Sequence, residues 1–133
     1  MIQTLHCRIP EVTAVYPIAL GIDTLQDIHV LKRSIEGLGE RFALITDDTI
    51  ASLYGIPLSR ALNAAGLDVS VFCVPPGEAS KSRRQKEELE DRLFEKGFGR
   101  DTCILALGGG VVTDLAGYLA ATYCRGIDRK SVV

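Results

Sequence analysis

The stretch that most constrains the fold is ILALGGGVVTDLAGYLAATY, from Ile104 to Tyr123. An apolar run is interrupted by Gly108, Gly109 and Gly110 and then continues as a segment of small apolar residues. This order predicts a buried strand, a glycine turn and a helix. Such a turn presents backbone N–H groups at the positive end of a helix dipole, and a phosphate can approach them because glycine has no Cβ.

Upstream, short apolar runs alternate with amphipathic segments of helical spacing. The runs that predict strands are QTLHCRI, YPIALGI, RFALIT, LDVSVFCV and TCILAL, and the helical segments are TLQDIHVLKRSIEGLG, TIASLYG, PLSRALNAAG and SRRQKEELEDRLFEKG. Because Ala43–Thr46 and Ile104–Leu107 carry no charge, these strands fit a sheet that is covered on both sides. We predict an α/β fold with a Rossmann-like, mainly parallel sheet and helices on both faces, in one domain over residues 1–127.

The composition limits the possible partners. The chain has 133 residues, 47% of them hydrophobic, and a net charge of −2, so no bulk electrostatic attraction to nucleic acid or to an anionic membrane is expected. No apolar run approaches the ~20 residues of a membrane span, and MIQTLHCRIPEV has no signal-peptide pattern, so we expect a cytoplasmic location. The cysteines form no C-x-x-C pair and the only histidines are His6 and His29, so we expect no metal site in this chain.

Polar residues follow the predicted strands at the point where each strand ends. Asp47 and Asp48 follow RFALIT, Glu78 and Lys81 follow LDVSVFCV, and Asp114 follows the glycine turn. Because the carboxyl ends of parallel strands share one edge, we expect these side chains to face one crevice, where carboxylates can bind ribose hydroxyls and a lysine can neutralise phosphate. Each also has a purely structural interpretation, as a helix N-cap, a solvated turn residue or a partner of a helix dipole.

The glycine turn fits a dinucleotide fingerprint only in part. Gly108 and Gly110 match the first half of G-x-G-x-x-G, but Thr113 stands in the place of the third glycine. The turn also follows a late strand, and no convincing acidic residue comes about 20 residues later to bind a ribose. The pattern favours another parallel-sheet nucleotide binder over an ordinary Rossmann domain, and a tight turn without a ligand remains the alternative.

Three segments resemble the 3-dehydroquinate synthase family. They are LITDDTIASLYG, PPGEASKS and ALGGGVVTDLAGYLAATYCRGI, and the resemblance extends from about Tyr16 to Ile127. The family pattern is a G-E-x-x-K turn, then G-G-G-V-x-G-D-x-x-G, then A-x-x-Y/F-x-R-G, and the long last motif is highly specific. The resemblance implies the N-terminal, NAD-binding domain of the dehydroquinate synthase-like fold.

The resemblance also implies roles for individual residues. Those expected to bind NAD are Asp47, Gly77, Glu78, Lys81, Gly108, Gly109, Gly110, Val111, Val112, Thr113 and Asp114. Asp114 is expected near the nicotinamide half of the cofactor. Arg125 is expected to reach the substrate phosphate across a dimer interface, a role that suits a guanidinium because it forks onto phosphate oxygens.

The reaction implied by the resemblance is the second step of the shikimate pathway, which leads to chorismate and the aromatic amino acids. A lyase converts 3-deoxy-D-arabino-heptulosonate 7-phosphate to 3-dehydroquinate and phosphate, and NAD is regenerated in each turnover. A second domain holds a divalent metal, zinc or cobalt, through a glutamate and two histidines, and the full-length enzyme is expected to be a homodimer. The alternatives are another sugar-phosphate cyclase, such as one that forms an inosose or valiolone ring, and a non-catalytic nucleotide-binding module.

Two features depart from the family pattern. Thr113 stands where the family commonly has glycine, which narrows the approach to the backbone. After the R-G-I segment the family continues with an apolar strand and the metal domain, whereas residues 128–133, DRKSVV, are polar and are interpreted as a non-native tail of a truncated chain. We therefore expect no synthase activity from this chain, weak NAD binding at most, and exposed apolar surface near Leu115, Tyr118 and Leu119.

Overall fold

The computed structural model describes residues 2–8 and 15–132. In this part of the chain the strands are β1 (Gln3–Arg8), β2 (Val15–Leu20), β3 (Arg41–Asp47), β4 (Val69–Val74), β5 (Thr102–Leu107) and β6 (Asp128–Val132). The α-helices are α1 (Ile28–Ile35), α2 (Asp48–Ile50), α3 (Ile56–Ala64), α4 (Arg83–Glu95) and α5 (Gly110–Thr122). Ile9, the last residue of the first predicted strand, and Val133, the last residue of the predicted tail, lie outside the described residues.

The strands form two separate sheets. β1 and β2 make an antiparallel hairpin in which Leu5 lies opposite Ile18. The other four strands are all parallel and lie in the order β4-β3-β5-β6. The predicted α/β fold with a mainly parallel sheet is therefore confirmed.

Helices cover both faces of the parallel sheet, as predicted. Because side chains alternate along a strand, each strand supplies both layers of the core. One layer packs against α4 and α5, and its strand residues are Ala43, Ile45, Phe72, Val74, Ile104 and Ala106. The other layer packs against α1 and α3, and its strand residues are Phe42, Leu44, Val69, Cys103, Leu105 and Leu107. Two-sided burial explains why these strands lack the apolar and polar alternation of a solvated sheet.

The two short helices predicted between β3 and β4 form one continuous helical segment. A π-helical turn, Ala51–Gly55, joins α2 to α3 without a break. Pro57 follows the π-helical turn as the second residue of α3, and because it has no N–H it donates no hydrogen bond to that turn. Gly55 is buried, and a Cβ on it would lie 3.3 Å from Thr46 Cγ2, so the segment packs closely on the end of β3.

The polar segment after Ile127 forms the edge strand β6. Its residues pair in parallel with β5, from Asp128 opposite Cys103 to Val132 opposite Leu107. The fold therefore continues past residue 127, the predicted end of the domain. The interpretation of residues 128–133 as a non-native tail stays a prediction.

The expectation of exposed apolar surface on α5 is wrong for two of its three residues. Leu115 and Leu119 are buried, whereas Tyr118 is 46% exposed. The reason is geometric: residues four apart share one helix face, and the face with Leu115 and Leu119 packs on the sheet and α4. Tyr118 precedes Leu119 and therefore lies on a different face.

The strand order creates a crevice at the carboxyl edge of the sheet. β3 and β5 are neighbours, but the helix that follows β3 covers one face and the helix that follows β5 covers the other. Two chain segments thus leave adjacent strands in opposite directions, and parallel α/β proteins bind ligands at such a point.

Candidate functional site

The first residue of the glycine turn, Gly108, is glycine because the backbone conformation and the packing of the protein require it. Gly108 has a φ of +151°, and a Cβ at this position would lie 3.0 Å from Val112 Cγ2. Its N–H donates a hydrogen bond to the carbonyl of Val132 at 3.1 Å. A side chain would therefore be strained by the backbone conformation and crowded by the next turn of α5.

The next two glycines are in a different situation. Built on Gly109 or Gly110, a Cβ would meet no atom of the described residues within 4 Å. Gly109 is the N-cap of α5, and no side chain accepts a hydrogen bond from the N–H groups of the first turn. The positive end of a 13-residue helix therefore opens onto free space, and these residues fit the diphosphate of a dinucleotide, which needs this space and these donors.

Thr113 is accommodated by folding its side chain back onto α5. Its hydroxyl is 3.1 Å from the carbonyl oxygens of both Gly109 and Gly110, to which it can donate. Val112 is buried in the core and Val111 is partly buried. The β-branched residue at the family's glycine position is thus held against its own helix.

Lys81 and Asp114 meet beside the glycine turn. Lys81 Nζ lies 2.7 Å from Asp114 Oδ2, and both side chains are about half exposed, at 51% and 56%. The hydrogen bond to Asp114, with the charge of that carboxylate, raises the pKa of the Lys81 ammonium above its usual value. The structure thus brings together a residue after β4 and a residue on α5, as the shared strand edge predicts.

The ion pair borders a groove of about 270 Å³. Ser82, Arg83, Leu115 and Tyr118 form the rest of its lining. Ser82 is the N-cap of α4 and accepts a hydrogen bond from the N–H of Gln85, so a second helix begins at this groove. The groove thus combines two cations and one carboxylate with the apolar side chains of Leu115 and Tyr118, and α4 begins at its border.

Gly77 and Glu78 form the turn that leads to Lys81. Gly77 has a φ of +104°, with open space where a Cβ would be, and Glu78 begins a short 3-10 helix, Glu78–Ser80. The buried hydroxyl of Ser80 donates to the carbonyl of Pro75, which fixes the turn after β4. Glu78 is exposed and lies near enough to Lys81 to contribute to raising its pKa.

Asp47 serves as a helix N-cap. Its Oδ1 accepts a hydrogen bond of 2.8 Å from the N–H of Ile50, and the carboxylate is partly buried. Among the described residues, its second oxygen accepts no hydrogen bond that meets the same geometry. Asp47 therefore has the structural role of a helix N-cap, and its second carboxylate oxygen remains available to a ligand. Asp48, the next residue, is exposed.

Arg125 lies apart from the other predicted site residues. It follows α5, which runs from the carboxyl edge of the sheet to the amino edge, so at about 1.5 Å per residue Arg125 lies about 20 Å from the glycine turn. The side chain is exposed, and both Cys124 and Arg125 have positive φ, at 48° and 67°. Within one chain, Arg125 therefore lies at the end of α5 opposite the glycine turn.

Some residues around the turn are not indicated by the motifs. Arg83 and Tyr118 line the groove although neither lies at a strand end, and Val132 accepts the hydrogen bond of Gly108 through its backbone. Only the spacing of Arg83, two residues after Lys81, could have pointed to it. A backbone carbonyl on another strand leaves no signal in a sequence.

Residues 2–8 and 15–132 contain neither a clustered set of metal ligands nor a membrane-spanning helix. No cluster of three or more histidine, cysteine, aspartate or glutamate side chains is arranged to hold a metal ion. None of the helices is both long enough and apolar enough to cross a membrane.

Comparisons with known proteins extend the motif resemblance. Residues 71–132 match the family model described as 3-dehydroquinate synthase N-terminal. The 3-dehydroquinate synthase of Pelotomaculum thermopropionicum is 44% identical over 112 residues, which cover 84% of this chain and 30% of that protein. That of Caulobacter vibrioides is 39% identical over 128 residues, which cover 96% of this chain and 34% of that protein. The chain thus spans about a third of the length of these curated relatives.

Solved structures show the same fold. 2-Deoxy-scyllo-inosose synthase, complexed with carbaglucose-6-phosphate, NAD⁺ and Co²⁺, has a TM-score of 0.83 at 21% identity and covers 98% of this chain and 35% of that one. 2-Epi-5-epi-valiolone synthase from Streptomyces hygroscopicus, with NAD⁺ and Zn²⁺ bound, has a TM-score of 0.61 at 27% identity and covers 78% of this chain and 28% of that one. With the sequence matches, these likenesses confirm the resemblance: the chain belongs to the 3-dehydroquinate synthase family and corresponds to its N-terminal part.

Proposed function

We propose that this chain is the NAD-binding part of a 3-dehydroquinate synthase. The whole enzyme would be a metal-dependent lyase of the shikimate pathway that forms 3-dehydroquinate and phosphate from 3-deoxy-D-arabino-heptulosonate 7-phosphate. The observation that carries the proposal is the open space above Gly109 and Gly110 at the N-terminus of α5. Because packing alone does not require glycine at these two positions, a ligand that needs the space accounts for them.

The neighbouring residues support binding of a dinucleotide in this space. The N–H groups of Gly109, Gly110 and Val111 would bind the diphosphate, and the free oxygen of Asp47 would accept a ribose hydroxyl. Lys81 and Asp114 would orient the nicotinamide half beside the groove. Gly77 and Glu78 shape the turn that carries Lys81, and Val112 and Thr113 hold the first turns of α5 in place. When bound, NAD supplies the hydride acceptor for transient oxidation of a ring alcohol.

The position of Arg125 supports a homodimer. An exposed arginine about 20 Å from the glycine turn in its own chain would contribute to substrate phosphate binding only in the site of a second copy. A guanidinium suits this role because it stays charged and forks onto phosphate oxygens.

The chain by itself would not complete the reaction. The cycle needs cofactor, metal and substrate in one closed site, and the described residues contain no arrangement of metal ligands. We place the zinc or cobalt ligands of the full-length enzyme in a second domain, and we place the enzyme in the cytoplasm, with no membrane or nucleic-acid partner. In a phosphate-release assay, this chain with the heptulosonate substrate, NAD and Zn²⁺ should show no turnover above background.

A titration with NAD followed by backbone amide chemical shifts tests the cofactor site directly. We expect weak, saturable binding with a dissociation constant of roughly 1 mM, because half of the closed site is missing. The largest shifts should be at Gly109, Gly110 and Val111. Gly109→Val should abolish these shifts by filling the open space, and the chain should stay folded, because a Cβ at this position meets no protein atom within 4 Å.

Ala64→Val provides the matched control. Ala64 is exposed at the last residue of α3, near the opposite edge of the sheet, so this substitution adds similar bulk away from the site. It should leave the NAD-induced shifts unchanged. The proposal is contradicted by the absence of saturable shifts at the glycine turn, or by shifts that persist in Gly109→Val.

A related sugar-phosphate cyclase is the second candidate, since the solved structures with this fold are an inosose synthase and a valiolone synthase. The sequence favours 3-dehydroquinate synthase, with 44% identity against 27% for the valiolone synthase. Product analysis of a full-length protein that contains this chain would separate the two, because only the first forms 3-dehydroquinate.

A further inference from the structure

The edge strand β6 contacts the glycine turn through its backbone. Parallel pairing of β5 and β6 runs up to Leu107 opposite Val132, and the Val132 carbonyl then accepts a hydrogen bond of 3.1 Å from the N–H of Gly108. The first amide of the turn is therefore fixed by β6. The residues that follow it, Gly109 and Gly110, receive no capping hydrogen bond from a side chain.

The side chain of Arg129 contacts the same region from one side. Its Nη1 donates a hydrogen bond of 3.2 Å to the carbonyl of Thr113, in the part of α5 nearest the glycine turn. The guanidinium also occupies the space in which a Cβ on Gly117 would lie. One side chain of β6 thus contacts two successive turns of α5, while none of the acidic side chains of the described residues pairs with it.

The positive charge of Arg129 affects how the N-terminus of α5 interacts with an anion. A cation near the N-terminus of a helix opposes the helix dipole and does not stabilise the isolated helix. The same cation becomes favourable when an anion binds at that terminus, because the cation and the helix dipole then both attract the anion. Uncapped first-turn residues also fray unless a neighbouring element holds them.

From these contacts we propose that β6 positions the glycine turn for its anionic ligand, with the Val132 carbonyl fixing Gly108 and Arg129 holding the first turns of α5. The two are positioning residues, and β6 would serve this role whatever the origin of residues 128–133. The identity of the ligand rests on the proposed function, whereas the contacts of Val132 and Arg129 do not depend on it.

Gly117→Ala tests the role of Arg129 without removing that residue. The added methyl group takes the space of the guanidinium, which can move away because it is the end of a flexible side chain. Alanine is also a better helix former than glycine, so the midpoint of thermal unfolding should be unchanged or raised. We expect hydrogen exchange at the first hydrogen-bonded amides of α5, those of Thr113 and Asp114, to become several-fold faster all the same, and Arg129→Ala to have the same effect.

Two more variants separate positioning from general stability. Arg129→Lys keeps a donor for the Thr113 carbonyl and should restore part of the slow exchange. Lys130→Ala is the control, because successive residues of a strand face opposite sides and Lys130 shares its side with Val132, which packs against the α1 and α3 layer. In the unsubstituted chain, the Gly108 amide should exchange as slowly as the amides of β5.

The exchange data decide the proposal. It is overturned if exchange at the Thr113 and Asp114 amides is unchanged in both Gly117→Ala and Arg129→Ala, if Lys130→Ala speeds it equally, or if the Gly108 amide exchanges freely in the unsubstituted chain. With NAD as the probe, Gly117→Ala and Arg129→Ala should each weaken binding about three- to ten-fold, which is about 0.6–1.4 kcal/mol. Failure of the unsubstituted chain to bind NAD would count against the proposed function, and the exchange comparison would still decide the role of β6.

Discussion

The two ends of the glycine turn differ in why they contain glycine. Gly108 has a positive φ and would clash with Val112, so the protein itself requires glycine there. Gly109 and Gly110 face open space, so the protein would accept a side chain at either position. The difference teaches that a run of identical residues can serve two needs, and that only the second end of the turn carries information about a ligand.

The largest loss of stability is expected from a substitution in β5, the strand that leads into the glycine turn. Leu105 is 4% exposed in β5, and Leu105→Ala should lower the free energy of unfolding by about 2–5 kcal/mol because it removes buried methyl groups and leaves a cavity. Urea unfolding followed by circular dichroism measures this change. Leu53→Ala is the control, since Leu53 is 60% exposed and should change stability by less than about 0.5 kcal/mol. Equal losses in the two variants would contradict the assigned burial.

Gly108→Ala tests the packed end of the turn. The combination of positive φ and a contact of 3.0 Å with Val112 should cost about 1–3 kcal/mol of stability, measured in the same way. A loss below about 0.5 kcal/mol would show that the turn can relax, and the contrast with Gly109 would then disappear.

Stability should fall at high pH because of a buried thiol at the amino end of β5, the end away from the glycine turn. Burial raises the pKa of Cys103 from 9.0 to about 11, so the unfolded chain loses this proton before the native chain does. The stabilisation is present below pH 9 and is lost as the pH rises toward 11, by roughly 1–3 kcal/mol. Urea unfolding at a series of pH values measures the slope. Cys103→Ala should flatten it, and an unchanged slope in that variant would rule out Cys103 as the cause.

The smallest effect on stability is expected at the open end of the turn. Gly109→Ala should change the free energy of unfolding by less than about 0.5 kcal/mol, because its Cβ meets no protein atom within 4 Å. The same substitution should weaken NAD binding, since the methyl group enters the space assigned to the diphosphate. Loss of stability comparable to that of Gly108→Ala would mean that both glycines serve packing.

The sequence predicts much of the site because its signals are local. The strand, turn and helix around the glycines follow from residue order, and the meeting of Lys81 with Asp114 follows from the rule that parallel strands share a carboxyl edge. The sequence did not predict that Leu115 and Leu119 are buried, because exposure depends on which helix face meets the sheet. Nor did it predict a strand in the polar residues 128–132, because an edge strand can tolerate charge.

By itself, then, the sequence determined the order of strands and helices as far as α5, the glycine turn, and a family resemblance that the comparisons confirm. Only the tertiary structure decided which glycines face open space and that β6 fixes the Gly108 amide. The physical reason is that turns and periodicity depend on neighbours along the chain. Free space and backbone hydrogen bonds between strands depend on residues that are distant in sequence.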